Sequence, residues 1–155
     1  MSIPRPVTAG RPRPTNLAVL MREVFVALND VVIARLTERG HPEVRSAHGA
    51  VFQHLDDTGT TVSVLAERAQ MTKQAMAELV GHLEKHGYVT RVTDPNDRRA
   101  KLVTPTARGL EVITIAQDLV PELEQRVGSL IGADRAAALR NDLETIRTAV
   151  TRPSR

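Results

Sequence analysis

Residues 60–109 read TTVSVLAERAQMTKQAMAELVGHLEKHGYVTRVTDPNDRRAKLVTPTARG. The first half has the pattern of two short helices. Thr61 stands before the run 62–69, Gln70 and Met71 make a turn, and Thr72 stands before a second run that reaches His86. A hydroxyl in that place accepts a hydrogen bond from an amide of the first turn that has no helical partner, so threonine marks a helix start. Gly87 follows where a left-handed C-terminal cap belongs. The pattern then changes from helical to alternating over 88–92. Asp94-Pro95-Asn96 is turn chemistry, and 101–104 reads as the return strand of a hairpin.

Working outward, residues 1–14 are rich in Pro, Arg and Gly and read as an extended, mobile basic arm. Thr15 or Asn16 caps a helix running to about Arg39, with Gly40 and Pro42 beyond. Its positions Leu17, Leu20, Val24, Leu28, Val31 and Ile33 form an apolar stripe that Met21, Phe25 and Val32 widen. A stripe that wide calls for a partner helix. A helix over about 45–55 turns Val44, Ala47, Val51, Phe52 and Leu55 inward. After the hairpin, Thr106 caps a helix to about Val127 that Pro121 kinks or breaks, and Gly128 and Gly132 interrupt it. Asp134 caps a last helix with Leu139, Leu143, Ile146 and Val150 on one side.

With 155 residues, 41% of them hydrophobic, the chain can build one domain with appended helices. It has no cysteine, which excludes disulfides and thiolate metal sites. No apolar run is long enough to span a membrane, and the arginine-bearing start lacks the apolar core of a secretory signal, so a cytoplasmic location is expected. The net charge of +3 matters less than its distribution. Arg5, Arg11 and Arg13 stand at the start without an acid, and Arg91, Arg98, Arg99, Lys101 and Arg108 face only Asp94 and Asp97 across the hairpin. Such clustering suits a polyanion partner for one part of the molecule, as well as an ordinary solvated surface.

On the helix 72–86, Ala75, Met76, Leu79, Val80 and Leu83 form a face for burial, which leaves Thr72, Lys73, Gln74, Ala77 and Gly81 outward. That set suits a DNA major groove. Gln74 has the paired donor and acceptor that match adenine, Lys73 can reach guanine or phosphate, and Ala77 can touch a thymine methyl. Arg98 and Arg99 put planar cations on a narrow hairpin tip of the kind that enters a minor groove. Asp97 can hold a neighbouring guanidinium in a bidentate pair. Taken singly, the helix also reads as an ordinary amphipathic one and the tip as a solvated turn; their adjacency favours DNA.

The segments VSVLAERAQMTKQAMAELVGHLEKHGYVTR, DPNDRRAKLV and TPTARG together resemble the MarR (multiple antibiotic resistance regulator) family of transcription factors. Asp97, Arg99 and Val103 fall at that family's wing spacing, while Pro105-Thr106 replaces its usual Leu-Thr. The resemblance implies a mainly α fold with a small β-hairpin: a winged helix-turn-helix over 44–109, with dimerisation helices over 15–43 and 110–150. It places Lys73, Gln74 and Ala77 on the recognition face and Arg99 at the wing tip. It further implies a homodimer on double-stranded DNA, with a repressor role and an inverted-repeat operator, and allows a small-molecule effector between the dimer helices and the winged domain.

Other candidates carry less. His82 and His86 have the spacing of a metal pair on a helix but lack an evident third ligand. His41, His48 and His54 flank the region where such an effector would sit, and read as polar neighbours of the core. No Ser-His-Asp order, phosphate loop or paired carboxylates stand out, so no catalytic residue, metal or cofactor is expected. The competing reading is a winged-helix module for protein contacts or for DNA without sequence preference.

Overall fold

The structure is a computed structural model that describes residues 4–151. The first three residues of the basic arm lie outside the described residues. The arm itself departs from the expected mobile strand. Residues Val7–Thr8 (β1) and Arg11–Pro12 (β2) pair antiparallel around Ala9 and Gly10, both at positive φ (51° and 75°). Two successive positive φ values twist a two-residue hairpin loop in the sense its strands need. Arg13 N donates to Pro6 O at 2.9 Å and Arg13 Nε to Thr8 Oγ1 at 2.7 Å. Pro12 is tolerated because its partner is Val7, one pair out from the turn, where no ladder bond needs its missing N–H.

Helix α1 (Leu17–Glu38) starts at Asn16, whose Oδ1 accepts from Val19 N at 3.0 Å, and ends at Gly40. Only Leu36 along it is buried; Leu17, Val24 and Phe25 are exposed. The helix expected over 45–55 is much shorter. A 3₁₀ turn, Ser46–His48, leads into α2 (Gly49–Phe52). The Nδ1 of His48 accepts from Arg45 N at 2.8 Å, which tightens the start, and this turn buries His48 while Ala47 stays exposed, contrary to the sequence reading.

Helices α3 (Val62–Ala69) and α4 (Lys73–Lys85) meet at Gln70, held at φ 55°. Strands β3 (Val89–Asp94) and β4 (Asp97–Pro105) form the hairpin, which reaches further toward its tip than the alternation over 88–92 and 101–104 suggested. Helix α5 (Ala107–Asp118) passes at Leu119 into α6 (Val120–Ile131). Pro121 lies in the first turn of α6, where a missing N–H costs no helical bond, so the helix expected over 107–127 is broken just before it, as one of the two outcomes read from the sequence. Gly128 lies inside α6, and Gly132 at φ 90° ends it before α7 (Ala133–Thr151).

The core gathers Leu36, Val44, Val51, Leu65, Met76, Val80, Leu83, Tyr88, Val103 and Val112. Each fully buried aliphatic side chain contributes about 1.5–3 kcal/mol. Thr60 adds a third piece of backbone to the hairpin: its N–H and C=O pair with Val103 at 2.9 and 2.8 Å. The wing is thereby fastened to the residue just before the N-cap of α3. Among the described residues no helix is long and apolar enough to cross a membrane.

Candidate nucleic-acid interface

Local capping orients α4. Thr72 Oγ1 accepts from Ala75 N at 3.1 Å, and Met71 N donates to Ala66 O at 2.9 Å across the turn. Met76, Val80 and Leu83 face the core, with Ala75 and Leu79 half-buried. Thr72, Lys73 and Gln74 are exposed as expected, at a helix end whose free amides favour anions. Ala77 and Gly81 are half-buried rather than free, so the open part of this face is the first turn.

The wing tip corrects one assigned role. Asp94 Oδ1 accepts from Asn96 N at 2.9 Å and shapes the turn. Pairing then slips: Thr93 stands opposite Lys101 while Asp94 stands opposite Asp97, which leaves Arg98, Arg99 and Ala100 on a bulge. Asp97 Oδ1 accepts from the Arg99 backbone N–H at 3.0 Å, and no ion pair joins Asp97 to an arginine among the described residues. Asp97 therefore fixes the course of the backbone under Arg99, because a bulged amide has no cross-strand acceptor. The bidentate carboxylate–guanidinium pair read from the sequence is absent. Arg98 and Arg99 are both exposed.

The remaining basic residues divide. Arg91 pairs with Glu84 of α4 at 3.5 Å, and Arg108 lies 3.2 Å from Glu43, so both are locally neutralised. Lys101 donates to Thr93 Oγ1 at 3.0 Å and keeps its charge on the surface with Arg98 and Arg99. Positive charge on the hairpin is thus concentrated toward the tip.

Several positioning residues were not singled out from the sequence. Tyr88 is fully buried; its phenol donates to Glu43 Oε2 at 2.8 Å and accepts from Arg108 Nη2 at 2.9 Å, with His41 Nδ1 at 3.2 Å. The Arg108 guanidinium also lies 4.6 Å from the Tyr88 ring centroid. Burial, then the bond to Glu43, pushes the Tyr88 phenol up, and the same phenol bond holds the Glu43 carboxyl below its ordinary value. This knot ties the loop after α1 to the strand after α4 and to the start of α5. A second knot has Arg68 donating to His54 O at 2.7 Å and to Asp56 Oδ2 at 2.9 Å, while Thr60 Oγ1 accepts from Asp56 N at 2.9 Å. The first knot joins residues far apart in the chain, and the second, though it spans 54–68, depends on how α3 folds back on the loop before it, so neither showed as more than scattered polar residues in the sequence.

The histidines form a stack rather than a ligand set. His48 and His82 are 4.5 Å apart and nearly parallel, and His86 follows at 4.4 Å. His82 Nε2 lies 3.0 Å from Glu43 O and His86 Nδ1 2.9 Å from His82 O. Burial, and next the neighbouring His82, pull His48 down to about 4. Among the described residues no three metal-ligating side chains converge.

Comparison with known proteins agrees with this architecture. A family model described as MarR family matches residues 44–100. The transcriptional activatory protein BadR of Rhodopseudomonas palustris is 31% identical over 84 residues, 54% of this chain; the chain spans about half, 47%, of BadR. Wild-type apo MarR from E. coli superposes with a TM-score of 0.69 at 22% identity, covering 86% of this chain and 98% of that one. The transcriptional repressor CouR, bound to a 23-mer DNA duplex, gives 0.67 at 23% identity, covering 85% and 92%. At such identities the structures speak for the fold. Over residues 44–100 in sequence, and in overall architecture, this chain is similar to MarR-family regulators.

Proposed function

We propose that this protein is a sequence-specific DNA-binding transcriptional regulator, acting in the cytoplasm as a homodimeric repressor on an inverted-repeat operator, with affinity set by a small-molecule effector. The observation that carries the reading is the pairing of an open first turn of α4, with Thr72, Lys73 and Gln74 exposed, with a hairpin whose unneutralised cations Arg98, Arg99 and Lys101 lie toward its tip. In this reading Gln74 and Lys73 meet base edges, Ala77 borders the groove at the limit of the open face, and the wing arginines follow the neighbouring groove. CouR, bound to a 23-mer DNA duplex, supports DNA as the partner through its likeness in fold.

The dimer follows from surface that one chain leaves uncovered. Leu17, Leu20, Val24 and Phe25 of α1 and Leu139, Leu143, Ile146 and Val150 of α7 are all exposed. Residues 15–43 and 110–150 serve this contact and 44–109 serve DNA. A two-fold pair of winged helices reads half-sites about 34 Å apart.

A mobility-shift titration tests the reading. The full-length protein is titrated against DNA from upstream of its own coding region and against scrambled DNA, at several salt concentrations. Preference for the upstream sequence is the expected result. Equal affinity for both, with the same salt slope, would reduce the protein to a non-specific binder.

A further inference from the structure

No aspartate or glutamate precedes Glu23, whereas Arg5, Arg11, Arg13 and Arg22 all do. Arg5, Arg11 and Arg13 are exposed, and among the described residues none of them pairs with a carboxylate. Arg91 and Arg108 differ, since each meets a glutamate, at 3.5 and 3.2 Å. The pairing of β1 with β2 sorts the side chains. Thr8 stands opposite Arg11 and Val7 opposite Pro12, and the bond from Arg13 N to Pro6 O extends the ladder by one pair. Side chains alternate across a strand, so Arg11 and Arg13 share a face with Thr8, while Val7 and Pro12 take the other. The Thr8 hydroxyl accepts from Arg13 Nε at 2.7 Å, a diagonal contact on that shared face. It holds one edge of the guanidinium and leaves the Nη donors for another acceptor. Two planar cations thus stand about 7 Å apart on one face of a narrow hairpin.

Position selects the partner. Phe25 of α1 lines one concavity with Met71, Ala75 and Glu78, so α1 passes the start of α4 there. From Phe25 back to Leu17 is about 12 Å of helix, close to the width of a B-DNA major groove. A body offset by that much from a helix seated in the groove meets the strands that border it, whose outer surface is phosphate. Such a surface carries one charge per about 1.7 Å of duplex. A lipid surface fits less well, because residues 1–14 contain no Leu, Phe, Trp or Tyr to anchor in it. Pro4, Pro6, Pro12 and Pro14 fix φ along the segment, and the hairpin is already closed, so little further ordering is needed on binding.

We propose that the hairpin of β1 and β2 is a second DNA-contacting element, in which Arg11 and Arg13 grip backbone phosphates beside the groove entered by α4 without reading sequence. The proposal rests on the DNA-binding reading above and adds a contact that the winged helix does not contain.

The test compares the full-length protein with the double variant Arg11→Gln/Arg13→Gln. Both are titrated against the upstream fragment and against scrambled DNA of equal length, at several salt concentrations. Each phosphate contact contributes about 0.9 to the slope of log K against log salt, so the variant's slope should be smaller by about 1.8. Affinity for the two DNAs should fall together, roughly tenfold at about 0.15 M salt, with the preference between them unchanged. Arg11→Lys/Arg13→Lys, which keeps both charges, should keep the slope. Tm should not move in either variant, because both side chains are exposed. Parental slope and affinity in the glutamine variant would overturn the proposal. A loss confined to the upstream fragment would also overturn it, by making the hairpin a reader of bases. Dissociation of the glutamine variant to monomers in light scattering would overturn it as well, by assigning the hairpin to a second copy of the chain. A parent that binds no DNA would overturn the DNA-binding reading and this proposal with it, whereas a parent that binds beside an equally tight variant removes the hairpin alone.

Discussion

Replacing Gly109 by alanine adds one methyl group to the first turn of α5, and two effects then oppose each other. In a helix interior alanine is favoured over glycine by about 1 kcal/mol. At this position, however, the helix lies directly on the backbone of Tyr88. A Cβ on Gly109 would overlap the Tyr88 carbonyl oxygen and stand 3.2 Å from its carbon and 3.4 Å from Pro105 Cβ. Tyr88 cannot retreat, because its ring is fully buried and its phenol is held by Glu43 and Arg108. The carbonyl in question also accepts from Thr106 N at 3.1 Å, and the Thr106 hydroxyl caps Gly109 N at 3.1 Å. The start of α5 must therefore lift and weaken at least one of these bonds, at about 1 kcal/mol. Overpacking of this kind costs about 1–3 kcal/mol. The net prediction for Gly109→Ala is a loss of about 1–3 kcal/mol, read as a Tm lowered by roughly 3–10 °C. Gly128 supplies the control, since it lies inside α6 and an added methyl there would meet nothing within 4 Å. Gly128→Ala should gain about 0.5–1 kcal/mol. Both variants are measured by thermal and urea denaturation at one protein concentration. A Gly109→Ala protein as stable as its parent would refute the close approach of α5 to Tyr88.

His48 titrates near 6.5 when unfolded and about 4 when folded, because burial disfavours its cation. The stability it contributes is complete above pH 6.5 and is lost as the pH falls through 4, with roughly 2 kcal/mol gone by about pH 5. His48→Gln should flatten the pH dependence of Tm across that window; an unchanged slope would contradict the assignment. Arg99→Ala should weaken DNA binding about tenfold to a hundredfold with Tm unchanged. Asp97→Ala should also weaken it, although an acid is removed, because the Arg99 amide loses its acceptor; tighter binding would show that the carboxylate only repels phosphate. Tyr88→Phe should lose about 1–2 kcal/mol of stability as Glu43, Arg108 and His41 lose a shared partner, and a neutral outcome would mean the phenol is dispensable. Light scattering should give a dimer at micromolar concentration, and a stable monomer would leave the exposed stripes of α1 and α7 unexplained.

Much of the fold was legible because it rests on short-range chemistry. Asn16, Thr61, Thr72 and Thr106 each accept from the amide three residues on, so every one of these helix starts could be read from a few neighbouring letters. The same holds for the turn Asp94-Pro95-Asn96 and for the exposed set Thr72, Lys73 and Gln74. Two local features escaped even so: the hairpin around Ala9-Gly10, masked by its prolines, and the brevity of α2, set by the bond from Arg45 N to His48.

The electrostatics of the candidate site was decided by tertiary structure. A run of basic residues does not say which of them meets an acid from elsewhere. Packing brings Glu84 to Arg91 and Glu43 to Arg108, and so leaves net charge on Arg98, Arg99 and Lys101. It also slips the hairpin register so that Asp97 meets a backbone amide, and stacks His48 on His82. Caps and turns close over three or four residues and are therefore written locally, whereas ion pairs and register depend on which distant surfaces the core has brought together.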